Sequence, residues 1–204
     1  MTPKVFGLFG DAPDPAAIAE AAGLIRKGGI VAFPTETVYG LGVDATNAAA
    51  VDRLNKLKGR PPEKPYSWHL PSADAVRAQL GEVPPVAGQL MDKFWPGPLT
   101  IILPARNGTI GFRVPDHPIA QAFLTACGVP VAAPSANRSG QPPPTDAAEV
   151  LAALGDSIDC VLDAGPTKLG KESTVIEVVR NTIEIRRHGA VPEAAIREAI
   201  GNSR

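Results

Sequence analysis

Twenty-two prolines and twenty glycines are spread through the 204 residues of this chain. Proline fixes φ and lacks a backbone donor, and glycine admits tight turns, so this punctuation cuts the chain into short helices and strands joined by shaped loops. No apolar run approaches the roughly 20 residues that a membrane-crossing helix needs. Asp11 and Asp14 interrupt the first mildly apolar stretch, which therefore does not read as a leader. A cytoplasmic protein with no membrane partner is expected. At 44% hydrophobic and 20% charged residues, the composition suits a globular chain with a real core, and no repeat or low-complexity linker divides it. One domain over residues 1–204 is expected, with its core from about 15 to 200.

Local signals place the elements. Asp14-Pro15 ahead of residues 16–27, closed by Gly28-Gly29, combines an N-cap, a first-turn proline and a glycine stop, and predicts a helix. Residues 30–33 read as a strand stopped by Pro34, residues 35–46 as a loop, and residues 48–58 as a helix. Further strands are expected at 67–70, 99–103, 109–114, 129–133 and 158–162. Helices are expected at 72–80, at 85–94, from an Asp116 cap to about 126, and from a Thr145 cap to 154. Residues 173–179 and 182–187 form a hairpin through Arg180-Asn181, and Pro192 starts a last helix. Strands and helices mix without strict βαβ alternation. The fold class is α/β, a single domain with a twisted, mixed parallel and antiparallel sheet flanked by helices.

A net charge of −1 argues against wholesale electrostatic binding of nucleic acid. Yet Arg53, Lys56, Lys58, Arg60 and Lys64 are opposed in their own segment only by Glu63, which reads as a local anion site. A solvated basic helix end is the alternative for Lys58 and Arg60, because cations there complement the helix dipole. The prolines beside Arg60 stiffen its loop, and a guanidinium fork suits phosphate oxygens.

Other motifs read as less than they resemble. Gly165-Pro166-Thr167-Lys168-Leu169-Gly170-Lys171 has the spacing of a phosphate-binding P-loop. Glu172, however, stands where a metal-binding Ser or Thr is required, and a β-branched strand follows instead of a helix. Gly40-Leu41-Gly42 lacks a third glycine and an immediate helix, so a tight turn is expected there. His69, His117 and His188 are scattered and not at ligand spacing from Cys127 or Cys160, which read as two buried thiols rather than zinc ligands. Ser135 lacks the glycine-flanked elbow of a hydrolase nucleophile.

Six segments occur in order: Pro34-Thr35-Glu36-Thr37-Val38-Tyr39-Gly40-Leu41-Gly42, Lys58-Gly59-Arg60-Pro61, Trp95-Pro96-Gly97-Pro98-Leu99-Thr100, Gly111-Phe112-Arg113-Val114-Pro115, Pro134-Ser135-Ala136-Asn137 and Ser173-Thr174-Val175. From about residue 16 onward the chain thereby resembles the YrdC/TsaC family, the threonylcarbamoyl-AMP synthases, in its short bacterial form. The resemblance implies a YrdC-like fold related to the RibB/DHBP synthase-like fold. It also implies a nucleotidyltransferase that joins L-threonine, bicarbonate and ATP into threonylcarbamoyl-AMP, releasing pyrophosphate for tRNA threonylcarbamoyladenosine modification. Lys58, Arg60 and Lys64 would then face the ATP phosphates, the first two as catalytic residues. Ser135, Asn137, Thr109 and Arg187 would hold nucleotide. Thr37, His69, Arg113 and Ser173 would surround threonine, with the Ala133 backbone closing its pocket.

A Mg²⁺ ion is implied on the triphosphate, held by phosphate oxygens and water and by no protein-built site. Implied partners are downstream tRNA threonylcarbamoyl transferase proteins, with possible weak binding of tRNA or double-stranded RNA. Two departures are visible. Tyr66-Ser67-Trp68 precedes His69 where relatives have aliphatic residues, and Pro143-Pro144-Thr145 replaces a common Ser-Pro-Thr. Two alternative functions stay open, an RNA-binding or ribosome-assembly module and a paralogue making a related carbamoyl-adenylate. Residues 168–172 read equally as a mobile flap or a plain surface loop.

Overall fold

Turns and short elements alternate along the chain in the computed structural model, which describes residues 2–9, 12–60, 65–105, 108–180 and 182–201. Strand β1 (Lys4–Gly7) precedes helix α1 (Pro15–Arg26), whose first turn is capped by Asp14 Oδ1 accepting from the Ala16 N–H at 2.8 Å. Strands β2 (Val31–Phe33) and β3 (Gly40–Asp44) pair antiparallel, and α2 (Ala48–Lys58) ends at Gly59 with φ 62°. Then come β4 (Trp68–His69), α3 (Ala73–Gln79), α4 (Pro85–Phe94), β5 (Leu99–Ala105) and β6 (Gly108–Arg113). The chain continues through α5 (Pro118–Cys127), β7 (Val131–Ala132), α6 (Ala147–Leu154), β8 (Cys160–Asp163), the hairpin of β9 (Thr174–Val179) and β10 (Thr182–Arg187), and α7 (Glu193–Ala199).

The mixed sheet runs β1-β8-β2-β3-β7-β4-β6-β5-β9-β10 among the described residues. The β1–β8, β2–β8, β4–β6 and β5–β9 pairs are parallel and the other pairs are antiparallel. This is the expected α/β class, with four local corrections. Strand β1 lies in the sheet although it precedes the expected core. Gly40-Leu41-Gly42 is strand and not a turn: a Cβ on Gly42 would sit 2.8 Å from Val131 Cγ1, so glycine is needed there for packing across the face. Helix α5 starts at Pro118 with His117 at the cap and no side-chain capping bond, while the Asp116 N–H donates to Glu36 Oε2. Asp146, not Thr145, caps α6; its Oδ1 accepts from the Glu149 N–H, and the Glu149 carboxylate reaches back to the Thr145 N–H.

Period-two alternation sorts the sheet residues into three cores. Val31, Phe33, Val131, Cys160 and Leu162 pack against α1 and α5. Ala32, Leu41, Val43, Ala132 and Val161 face the other way, against α2 and α6. In the second half of the sheet, Leu99, Ile101, Leu103, Phe112, Ile176 and Val178 pack against α3, α4 and α7. Trp68 packs into both of the latter cores, and its register partners are Ala132 and Phe112, so those two helical layers share one face of the sheet. On the opposite face, α1 and α5 cover only the first half. The alternate residues of β5, β6 and β9 are left without a helix above them. Cys127 and Cys160 are buried, unpaired thiols, each pushed up to about 12 mainly by burial.

Candidate active site

Above that uncovered half of the sheet lies a cavity of about 300 Å³. Its floor is a stripe across four strands. Val175 and Thr100 are register partners, Arg113 and His69 are register partners, and the Ile101–Phe112 pairing sets Thr100 beside Arg113. Loops at the strand ends form the walls: Thr35 to Gly40, Arg60 with Tyr66, Ala133 to Ser135, and Glu172 with Ser173. Of the residues expected in the site, Arg60, His69, Arg113, Ala133, Ser135, Ser173 and Arg187 meet here.

One part of the lining is built around Arg113. Its Nη2 donates to Glu36 Oε1 at 2.9 Å and to Thr37 Oγ1 at 2.8 Å, while its Nε is buried without a partner among the described residues. Thr37 thus stands behind Arg113 instead of lining the cavity, and Thr35 shares a hydroxyl contact of 2.8 Å with it. His69 is packed edge-on against Phe33 at 6.2 Å between ring centroids. Burial first, and the Arg113 charge second, pull its pKa down to about 3, so the ring is neutral at pH 7. The unfolded chain holds a proton on this histidine between about pH 3 and 6.5 that the folded chain does not. Stability is therefore full above about pH 6.5 and falls as pH drops toward 3, by on the order of a few kcal/mol. His69→Gln is expected to flatten that acid limb in urea denaturation measured between pH 7 and 4; equal slopes in both proteins would refute the assignment.

Arg60 and the Pro134–Asn137 turn, through Pro134 and Ser135, form another part of the lining. The Arg60 guanidinium stacks over the Tyr66 ring at 4.7 Å and donates to the Pro65 carbonyl at 3.3 Å, leaving further donors of its fork for the cavity. Lys58 is placed otherwise than expected. It is 5% exposed, and its Nζ donates to the carbonyls of Ser135 and Asn137, both at 2.6 Å. It fastens the turn from behind and does not line the cavity, since α2 ends under that turn. Burial chiefly, then the nearby Arg60 charge, pulls its amine down to about 8, with Glu172 acting in the opposite direction.

Asn137 also turns away. Its Nδ2 donates to the Arg138 and Gln141 carbonyls, its buried Oδ1 has no partner among the described residues, and the residue borders a separate hollow of about 430 Å³ beside Pro142 to Thr145. Thr109 is exposed on β6 opposite Pro104, beyond the cavity rim. Lys64 lies outside the described residues.

Three residues that sequence patterns did not single out complete the wall. The Thr100 hydroxyl contacts the Ser173 hydroxyl at 2.9 Å, Arg187 Nη2 donates to the same Ser173 oxygen at 3.1 Å, and Arg187 Nη1 pairs with Glu172 at 2.7 Å. Glu36, behind the wall against Arg113, is the third. A carboxylate inside an otherwise neutral, strand-flanked turn was the available signal for it. Gly189 secures this corner: a Cβ there would lie 2.3 Å from the Ser173 carbonyl carbon. Trp68 alternates with His69 and points to the opposite face, so it does not shape the cavity. At the second departure Pro144 contributes its backbone, its carbonyl accepting from the Tyr39 N–H at 3.0 Å.

The basic segment is largely discharged. Arg53 forms a two-pronged pair with Asp159, and Lys56 pairs with Asp52. The loop at Gly165 to Lys171 leads into β9 and not into a helix, as a P-loop would require. Its Leu169 N–H donates to the Glu36 carbonyl and its Thr167 N–H to the Thr145 carbonyl. Among the described residues no group of three His, Cys, Asp or Glu side chains could hold a metal ion, and no helix is long and apolar enough to cross a membrane.

The family model of Sua5, YciO and YrdC, described as "Telomere recombination", matches residues 23–189. The chain belongs to this family. It is 42% identical over 195 residues to the threonylcarbamoyl-AMP synthase of Bacillus subtilis, an alignment covering 90% of this chain and 56% of that protein. The crystal structure of Pyrococcus abyssi Sua5 complexed with L-threonine superposes with a TM-score of 0.91 at 38% identity, covering 98% of this chain and 61% of that one. E. coli YciO superposes at 0.81 with 29% identity, covering 92% and 96%. The chain thus spans little more than half the length of the first two relatives and nearly the whole of YciO. The Sua5/YciO/YrdC membership accounts for the α/β fold and for the ordered motifs that meet around the cavity.

Proposed function

We propose that this chain is an L-threonylcarbamoyladenylate synthase, acting on L-threonine, bicarbonate and ATP. The observation that carries the reading is one cavity lined by three guanidinium groups, those of Arg113, Arg60 and Arg187. Arg113, held on one side by Glu36 and Thr37, lines it as a cation for an amino-acid carboxylate, and Arg60 and Ser135 line it for phosphate. The likeness to the B. subtilis synthase and to the threonine-bound Sua5 supports the choice of substrates.

The chemistry needs no protein nucleophile. Bicarbonate takes up a proton and loses water to give CO2, and the neutral threonine amine adds to it, giving a carbamate and returning the proton, so that the net product besides the carbamate is one water. A carbamate oxygen attacks the α-phosphorus of ATP, and the bond to the β-phosphate oxygen breaks to release pyrophosphate. The residues then have to orient two substrates and offset charge on phosphate oxygens, which Arg60 does by its fork and Ser135 by its hydroxyl. Neutral His69 and the Ser173 hydroxyl offer hydrogen bonds to threonine without adding charge. Magnesium belongs in this reading to the nucleotide substrate and asks for no cluster of protein ligands.

A reaction with labelled bicarbonate is expected to yield a threonine-dependent labelled adenylate, and pyrophosphate release should require threonine and bicarbonate together. Release indifferent to threonine would sink the proposal. Arg60→Ala is expected to raise the ATP KM by about tenfold or more, the value of a charge-assisted contact, with an unchanged melting temperature. Wild-type ATP kinetics in that variant would remove Arg60 from the nucleotide site. The RNA-binding alternative gains no support from the basic segment, whose Arg53, Lys56 and Lys58 are engaged within the protein.

A further inference from the structure

Glu36 is a buried acid behind the cavity wall, against Arg113, for which the proposed reaction has no direct use. Its side chain and that of Arg113 are each 6% exposed, and the two pair at 2.9 Å. Its carboxylate is held from two directions: Oε1 accepts from Arg113 Nη2, and Oε2 accepts from the Asp116 N–H at 3.1 Å, just ahead of α5. Its own carbonyl accepts from the Leu169 N–H. The residue is therefore fixed by three contacts from two parts of the chain, residues 113–116 and Leu169, and only the contact with Arg113 reaches a residue that lines the cavity.

Nη2 of Arg113 carries two hydrogens, and Glu36 and Thr37 take both. The buried Nε is left as a donor without a partner among the described residues. We infer that Glu36 is a positioning residue for the amino-acid carboxylate: it pins Nη2 to the wall so that the remaining edge of Arg113 is presented to the ligand. The inference rests on reading this cavity as an amino-acid site. It follows from the cost of alternatives. A buried guanidinium without its counter-charge would turn toward water, and each binding event would have to restore its orientation. Threonine affinity would suffer, whereas ATP, assigned to Arg60 and not to Arg113, would not.

Glu36→Gln is the informative variant because it keeps the shape. An amide has one acceptor oxygen and one donor nitrogen, whereas the site presents two donors, so one contact must be lost whichever way the amide lies. Glu36→Asp keeps the charge on a shorter stem. The threonine KM is expected to rise tenfold or more in Glu36→Gln, with the ATP KM within twofold of wild type, and to fall partway back in Glu36→Asp. Threonine and ATP KM values rising together with a lowered melting temperature, or a threonine KM within twofold of wild type, would overturn the assignment. If Glu36→Gln fails to fold, Glu36→Asp alone decides, a rise of threefold or more confined to threonine being required. Threonine-independent release by the wild-type protein would instead overturn the amino-acid reading beneath it; threonine-dependent wild-type release with unaltered variants overturns only the role of Glu36.

Discussion

An Arg113→Met protein is expected to keep its ATP affinity while losing threonine-dependent pyrophosphate release by about 10²–10³-fold, the effect of deleting one side of a desolvated guanidinium–carboxylate contact. The same substitution leaves Glu36 buried beside Thr37 with no counter-charge, which costs about 3–5 kcal/mol of stability. Loss of activity could then be mistaken for loss of fold. Replacing both members of a buried pair by apolar residues removes that penalty. The double variant Arg113→Met/Glu36→Leu should therefore recover most of the lost stability in urea denaturation and none of the activity. Activity returning with stability would show that Arg113 serves the fold and not the substrate.

Lys58→Met carries the second large effect. The variant removes both 2.6 Å contacts that fasten the Ser135 and Asn137 carbonyls, and with them the hold on the turn that presents the Ser135 hydroxyl. The ATP KM is expected to rise tenfold or more. Exchange of the Ala136 amide, which donates to the Tyr39 carbonyl inside the same turn, should accelerate by a comparable factor. A lysine acting on phosphate directly would weaken ATP binding and leave that exchange rate alone. A pH signature accompanies this. The folded-state amine lies near 8 and the unfolded one near 10.5, so the unfolded chain holds the extra proton between those values and wild-type stability rises across that window. A neutral amine still has two N–H groups for the two carbonyls. Stability measured at pH 7.5 and 10 should show a rise in wild type that is absent from the methionine variant.

These two residues show how far local patterns reach. Arg113 was legible through the Gly111-Phe112-Arg113-Val114-Pro115 segment of the family resemblance, since a cation at a strand end has by itself no distinguishing local pattern. Lys58 was legible as important but not as to role: a cation at a helix end has the same local pattern whether it points at solvent, at a phosphate or back at carbonyl groups. Glu36 escaped because nothing within a few residues of it signals a partner 77 positions away. The strand at Gly40 to Asp44 was missed for a related reason. Glycine reads as a turn locally, and only Phe33 and Val131 crossing above Gly42 make it a strand requirement.

By itself, the sequence determined the short α/β elements, through proline and glycine punctuation and alternating apolar residues, and the set of polar residues available for a site. Tertiary structure decided which of them share a cavity. Strand register aligned Val175, Thr100, Arg113 and His69 in one stripe, helix coverage left that stripe open, and long-range pairing drew Lys58 and Thr37 into support. The physical reason is range. Propensity, capping and alternation act over a few residues, whereas burial and ion pairing are settled only when distant strands lie side by side.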